Sequence, residues 1–314
     1  MIEEKIMVSI YCLAYNHERY IRDTLEGFIK QNTTFDYEVI IHDDASTDNT
    51  ATIINEYEKK YPNIIKPIYQ KENQYSKGVD LIDKYIIPKL KGKYIAICEG
   101  DDYWIDNYKL QKQFNALENN QECDMCAHNA RVFDCKSKKF LNCFPDIKKN
   151  KILSVEETIY KEGGFLPTAS LFFRRELLKP MKFQKYWSID YTRQIRGALR
   201  GGIIYLSDTM SVYRQNVPGS WTVRNNKKQR ILFEKKQTML TILNKETGYL
   251  YDSIIKKRIK KNKFDLYLEI DECKNALNEE YRQFVKELSF FDRLKIYIKA
   301  YFPLTLKIKR MMRE

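Results

Sequence analysis

Lys93-Tyr94-Ile95-Ala96-Ile97-Cys98-Glu99-Gly100-Asp101-Asp102 is the stretch from which the rest of the chain can be read. A short apolar run stops abruptly at three carboxylates and a glycine. Such a run, bounded by a polar turn, is the pattern of a strand buried on both faces of a parallel sheet. Adjacent carboxylates at a buried strand end repel one another unless a cation or an array of donors joins them. A divalent ion with hard oxygen ligands, Mg2+ or Mn2+, could do so and could also hold a diphosphate. Gly100 permits close approach of backbone and ligand. The alternative is an acidic turn that caps a helix beginning near Asp106.

The pattern repeats upstream. Ile6 to Leu13 is a compact apolar run ending at Ala14-Tyr15-Asn16, and Tyr37 to Ile41 is a second, ending at His42-Asp43-Asp44. Helical periodicity separates them over Tyr20 to Lys30, through Ile21, Leu25, Phe28 and Ile29. Ser46-Thr47-Asp48-Asn49 supplies N-cap residue types before a helix over Thr50 to Tyr61. Ile64 to Tyr69 reads as a third strand and Leu81 to Leu90 as a helix. Strands alternating with helices predict an α/β fold with a mainly parallel sheet and right-handed crossovers. Ligands in such sheets bind beyond the carboxyl ends of the strands. The three polar strand ends are therefore expected to share one crevice. No Gly-x-Gly-x-x-Gly or Walker pattern is present, which disfavours an ordinary dinucleotide or P-loop fold.

Downstream, a helix to about Asn119 precedes a strand from Met125 to Phe133. Lys148 to Glu162 reads as loop plus short helix, Thr168 to Phe173 as a strand and Ser188 to Leu199 as a helix with Asp190 in its first turn. Ile203 to Leu206 and Met210 to Arg214 read as two short strands, and nearly everything after Lys227 as helix, interrupted at Gly248.

Hydrophobic residues form 43% and charged residues 31% of the 314, a globular composition. No run approaches the roughly 18 apolar residues of a membrane span, and Met1 to Lys5 lacks the form of a signal peptide. A cytoplasmic protein with reduced thiols is expected. Cys123 and Cys126 have metal-ligand spacing, but a buried apolar role fits Cys126 better. His17, His42 and His128 are too dispersed for a zinc triad, and a satisfied structural role suits His42 and His128. The net charge of +13 is concentrated at one end: residues 224–314 hold 23 Lys or Arg against 12 Asp or Glu, a surplus of 11. Leu288 to Phe302 mixes aromatics with cations, and Lys307 to Arg313 continues the basic run. Such a segment suits an anionic membrane surface, or else packs on the protein or on a second subunit as a homodimer contact.

Val8 to Asn16, Asp43 to Asp48 and Glu99 to Asp102, in this order and spacing, resemble the successive motifs of family 2 glycosyltransferases. The resemblance is strong over about the first 110 residues and weaker to about Thr222. It implies a GT-A (Rossmann-like) fold over residues 1–222, with a nucleotide-sugar-binding half (1–110) and an acceptor-binding half (111–222), followed by a helical region over 223–314. It implies a nucleotide-sugar donor, with UDP the expected nucleotide, a divalent metal, and a glycan or lipid-linked acceptor in surface polysaccharide synthesis at the inner face of the membrane. By position, Ala14, Tyr15 and Asn16 would line the nucleotide pocket, and Asp43 or Asp44 would contact the base. Asp101 would lie near the ribose or metal, and Asp102 would be the metal ligand. Glu99 departs from the family's usual Asp. Ile189-Asp190 stands where a Glu-Asp pair is usual, so Asp190 alone remains as the expected general base of an inverting transfer, against the alternative of a helix cap. Val212 to Trp221 resembles the family's closing loop, with Arg214 a candidate for the diphosphate and Asn216 where His is common. Gly163 to Thr168 resembles an acceptor-side loop.

Two other classes remain to be weighed. A sugar nucleotidyltransferase would need a glycine-rich basic loop after the first strand, which Ala14-Tyr15-Asn16-His17 is not. A nucleic-acid-binding protein acting through the basic tail would lack a recognisable motif and would leave the carboxylate clusters unexplained, so no nucleic-acid partner is expected.

Overall fold

The computed structural model describes residues 6–145, 147–218 and 229–301. The chain divides into two compact units, one of Met1–Pro180 with Ser188–Val223 and one of Met181–Trp187 with Arg224–Glu314.

The first unit is built on a ten-stranded mixed sheet. Its strands are β1 (Val8–Ala14), β2 (Tyr37–Asp43), β3 (Ile65–Tyr69), β4 (Tyr94–Ile97), β5 (Tyr103–Trp104), β6 (Met125–Asp134), β7 (Lys139–Phe144), β8 (Lys151–Leu153), β9 (Phe172–Arg174) and β10 (Ile203–Gln215). The order is β3-β2-β1-β4-β9-β6-β10-β5, with β7 on β6 and β8 on β10. The β3-β2-β1-β4 half is parallel, as is the long β6–β10 ladder; β9 runs antiparallel between β4 and β6. Because β2 lies on one side of β1 and β4 on the other, chain direction across the sheet reverses at β1. That is the switch point where a crevice opens beyond the strand ends.

Helices α1 (Ile21–Ile29), α2 (Thr50–Lys60) and α3 (Lys109–Glu118) bury Ile21, Leu25 and Phe28, Ile54, and Leu110 and Leu117 in one core with Val8, Ile10, Val39, Ile41 and Tyr94. Helix α4 (Val155–Lys161) begins at a capping box in which Ser154 and Glu157 satisfy each other's backbone N–H groups. Helix α5 (Ile189–Ala198) follows the turn at Ser188.

Four sequence expectations change. Leu81 to Leu90 is a π-turn over Ile82–Ile86 and a 3-10 turn over Ile87–Lys89, because Pro88 lacks the N–H that an α-helix requires. The strand expected over Thr168 to Phe173 is a 3-10 turn at Thr168–Ser170 followed by β9, since Trp104 and Gln113 side chains take the turn's carbonyls. The two strands expected over 203–214 are one, β10, whose register shifts on β6 between Leu206 and Ser211 absorb the polar Ser207 and Asp208. Strands β5 and β7 are not legible in the sequence, being respectively very short and largely exposed.

The second unit is helical, with helices Gln229–Glu246, Asp252–Glu269, Cys273–Ala276, Arg282–Glu287 and Phe290–Tyr301. Gly248 takes φ +57 at the break between the first two, a left-handed conformation that favours glycine. Phe264, Ala276, Tyr281 and Phe284 form one small core, and Cys273, Ile296 and Ala300 another. Among the described residues, no helix is long and apolar enough to cross a membrane. Gly219 to Trp221 of the expected closing loop, the boundary at residue 222, and the basic run beyond Tyr301 lie outside the described residues.

Candidate active site

Backbone bonds bring the three polar strand ends together. Gly100 N–H donates to Leu13 O (2.9 Å), and Asp44 N–H to Ala14 O (3.0 Å), so β4 and β2 are both tied to the end of β1. A Cβ on residue 100 would lie 2.7 Å from His17 Nδ1 and 3.2 Å from Ala14 Cβ; glycine is what lets the two turns close on each other. The Thr24 hydroxyl on α1 reaches the carbonyl oxygens of Asp102 (2.6 Å) and Gly100 (3.1 Å) and fixes the acidic turn from behind.

The expected residues fall into two groups. Some are engaged within the protein. Asp43 accepts from the Ser46 hydroxyl (2.5 Å) and N–H (3.2 Å), and burial raises its pKa. Asp44 accepts from the N–H groups of Gln74 (2.8 Å) and Tyr75 (3.0 Å), which anchors the loop after β3. Asn16, at φ 57, accepts from Thr47 N–H (2.8 Å) through its side chain. The Arg214 guanidinium donates to Asp101 O (2.9 Å), pairs with Asp23 and lies over the Tyr103 ring. Asn216 donates to Asp134 (2.9 Å). The capping alternative for the second motif accounts for Asp48, whose carboxylate takes the Thr50 N–H (3.0 Å) and hydroxyl (2.6 Å).

The other group is electrostatically loaded. Asp102 is buried and accepts from Arg214 N–H at 2.7 Å. Desolvation first, then Asp101, pushes its carboxyl well above the usual range. Glu99 as a whole residue is exposed, but its carboxyl group sits among the atoms of the cluster. Desolvation, Asp101 and Asp190 together push it up to about 8. Asp190, on the first turn of α5, is likewise raised by desolvation, opposed by Arg193 and by a hydrogen bond with the Thr168 side chain. Its helix starts after Ser188 with no side-chain cap bond, and Asp190 is the acidic residue of the first turn. Desolvation lowers the His17 pKa against the fields of Asp101, Asp48 and Asp43.

Among the described residues, no Lys or Arg forms an ion pair with the carboxylates of Glu99, Asp101 or Asp102, and no group of three or more His, Cys, Asp or Glu is arranged to hold a metal. A crowded carboxylate cluster without a full ligand cage still fits Mg2+ or Mn2+. These ions bind through one or two carboxylates together with substrate phosphates. All seven cysteines are free, and Cys123 and Cys126 are buried. His42 and His128 each have one ring nitrogen in hydrogen-bond contact, at Gln70 Nε2 (3.0 Å) and Asn129 O (2.8 Å).

Arg193, Trp104 and Gln113 were not singled out from the sequence. Arg193 lies one turn beyond Asp190, over the rings of Tyr11 and Phe173. Its i+3 spacing from Asp190 was a usable signal. Thr168 lies in the segment expected as an acceptor-side loop, but the turn that carries it had no local signal, because its partners Trp104 and Gln113 are distant in sequence. Trp104 Nε1 donates to Ala169 O (3.0 Å) and Gln113 Nε2 to Ser170 O (2.8 Å).

Relatives agree with this architecture. The profile of the glycosyl transferase family 2 matches residues 9–217. An uncharacterized protein of Mycobacterium tuberculosis is 39% identical over 214 residues, 68% of this chain and 60% of that protein. The chain thus spans about 60% of the length of these mycobacterial relatives. The putative teichuronic acid biosynthesis glycosyltransferase TuaG of Bacillus subtilis is 34% identical over 117 residues, 37% of this chain and 44% of that one. Among solved structures, TarS of S. aureus in complex with UDP-GlcNAc superposes with a TM-score of 0.63 at 18% identity, over 90% of this chain and 79% of that one. A Pyrobaculum calidifontis mannosyltransferase in complex with GDP-Man and Mn2+ gives 0.54 at 13% identity, over 95% and 85%. The structural likenesses establish a GT-A-type fold. With the family profile covering two-thirds of its length, and three motif ends gathered at one crevice, the chain belongs to the glycosyl transferase family 2.

Proposed function

We propose that the chain is a metal-dependent inverting glycosyltransferase that moves a sugar from a nucleoside-diphosphate sugar to a hydroxyl of a glycan or lipid-linked acceptor in surface polysaccharide synthesis. The supporting observation is that the α5 carboxylate, Asp190, lies close enough to the strand-end cluster to act on the charge of Glu99. A base and a phosphate-binding cluster in one crevice are what a displacement at an anomeric carbon requires.

The acceptor oxygen attacks the anomeric carbon as its proton passes to the Asp190 carboxylate. The bond from that carbon to the diphosphate oxygen breaks, the nucleoside diphosphate leaves with the electron pair, and the configuration inverts. Asp102 and Asp101 would hold a divalent cation, which when bound offsets the charge gathering on the diphosphate. Arg214 orients Asp102 through its backbone N–H and the acidic turn through Asp101 O. Ala14, Tyr15 and Asn16 border the same crevice and would face the nucleotide, with Asp43 at its base-binding side. Asp44 serves by shaping the loop at 73–75. The likeness to TarS, solved with UDP-GlcNAc, supports UDP as the nucleotide. TuaG, named for teichuronic acid biosynthesis, supports a surface glycan as the product. A lipid-linked acceptor would place the work at the inner face of the membrane.

Calorimetric titration of UDP- and GDP-sugars with and without Mn2+ tests the reading. The wild type is expected to bind one of them with Mn2+ present, and Asp102→Asn to lose at least about tenfold in affinity, about 1.4 kcal/mol. Failure of every nucleotide and nucleotide sugar to bind would overturn it.

A further inference from the structure

Among the described residues, the helix Phe290–Tyr301 has two apolar faces and only one of them is packed. Ile296 and Ala300 are buried against Cys273 within the second unit. On the other side Phe290 is 66% exposed, Phe291 79%, Leu294 46%, Tyr297 48% and Tyr301 60%. At about 100° per residue, positions 290, 294, 297 and 301 form one stripe and 291 widens it. Isolated exposed apolar residues need no explanation, but five large ones on one helix face mark a surface made to be covered.

The charges around the stripe say what would cover it. On the same helical wheel, Arg293 falls along one border and the exposed Lys295 along the other. Asp292 lies on the far side. The sequence immediately after Tyr301 adds Lys307, Lys309, Arg310 and Arg313 against Glu314 alone, within a region whose surplus is 11 positive charges. Aromatic and leucine side chains bordered by cations, whose stems lie along apolar surface while the charged heads stay in water, match a bilayer interface. A self-complementary protein contact would instead bring the bordering cations of two copies together. Each cation near an anionic surface adds to the attraction.

We infer that the Phe290–Tyr301 helix lies in an anionic lipid surface, with Phe290, Phe291, Leu294, Tyr297 and Tyr301 inserted among the acyl chains and Arg293 and Lys295 at the headgroups. This deepens the lipid-linked acceptor reading, since a docked enzyme meets such an acceptor on the membrane plane. It can be tested without that reading, because vesicle binding requires neither donor nor acceptor.

The full chain is sedimented with phosphatidylglycerol vesicles and with phosphatidylcholine vesicles. Binding to phosphatidylglycerol is expected to be at least about tenfold tighter and to weaken with added salt. The triple variant Phe290→Ala/Phe291→Ala/Leu294→Ala is expected to lose at least about tenfold in vesicle affinity, with its unfolding temperature and nucleotide-sugar binding unchanged because none of the three is buried. Lys295→Glu, which leaves the stripe intact, is expected to remove most of the preference for phosphatidylglycerol. Absence of vesicle binding by the wild type overturns the inference. Wild-type affinity in the triple variant overturns it too, as does a wild-type dimer that this variant dissociates while neither form binds vesicles. Vesicle binding without nucleotide-sugar binding would sustain the inference and defeat only the proposed activity.

Discussion

Asp190 faces opposing influences: desolvation raises its pKa, while the Arg193 guanidinium and the Thr168 hydroxyl favour its charged form. The net effect is upward. A base must be ionised to accept a proton, so transfer should fall as pH drops through a value above the ordinary carboxylate range. The Glu99 carboxyl beside it is pushed up to about 8 by desolvation, Asp101 and Asp190, so an inflection there would belong to it. Asp190→Asn is expected to keep donor affinity and lose about 10²-fold or more in transfer rate, as measured by nucleoside diphosphate release with acceptor present. Unimpaired transfer would remove Asp190 from the base role. From the sequence, Asp190 could be found by its place in a helix's first turn and by the family motif. Most of its environment could not, since Thr168 and Glu99 come from segments far from α5 in sequence; only Arg193, on the same helix, is local.

The element that presents Thr168 is the 3-10 turn Thr168–Ser170, held from outside as well as by its own residues. Trp104 Nε1 and Gln113 Nε2 take two successive carbonyls, and Ser170 Oγ takes a third, Pro167 O at 2.7 Å. Trp104 is itself fixed by Phe28 edge-on (4.9 Å) and by the buried Lys109, whose Nζ lies 3.9 Å from its ring centroid. Gln113→Ala removes one strap and leaves a buried carbonyl with one donor fewer, which costs about 1–3 kcal/mol. The expected result is a several-fold fall in kcat with the donor KM unchanged, because the turn supports Asp190 and not the strand ends that face the nucleotide. A rise in donor KM with kcat intact would contradict this division. The same straps explain why the expected strand begins only at Phe172: apolar Ala169 and Leu171 suit a strand, but the Ala169 and Ser170 carbonyls are committed to side chains from much earlier in the chain.

At the scale of the whole molecule, the acids whose carboxyls are raised in the fold shape how stability varies with pH. The pKa values of Glu99, Asp102, Asp43 and Asp190 are all raised in the folded state. Their contribution to stability is therefore fully present below the unfolded carboxylate values. It is lost as pH rises through the folded ones, up to about 8 for Glu99. Lys109 works in the opposite sense. Burial brings its pKa down to about 7, so it favours the fold increasingly as pH rises from there towards 10.5. Raw stability mixes the two, and the metal-dependent increment separates them. A divalent cation needs ionised ligands, so it should offset the repulsion most where the acids are charged. Mn2+ is expected to raise the unfolding temperature more at pH 8 than at pH 5.5, and Asp102→Asn to abolish the difference. Equal shifts at both pH values, or a shift that survives in Asp102→Asn, would count against a metal at this cluster.

The sequence by itself determined the strand-helix alternation of the first hundred residues, the three polar strand ends and the separation of a basic helical region. Those features rest on local periodicity and on abrupt changes from apolar to polar, which are properties of neighbouring residues. Only the tertiary structure decided which carboxylates are already engaged and which remain loaded. Asp43 and Asp44 look alike in sequence, yet Asp43 closes its own turn whereas Asp44 holds a loop thirty residues away. It also decided that Arg214 braces the acidic turn, because β5 pairs with β10 and so brings Asp102 to Arg214 N–H. Glu99, Asp102 and Asp190 acquire their electrostatic character from desolvation and from the charges around them. Both arise only when the strand ends and α5 converge, and neither is a property of local sequence.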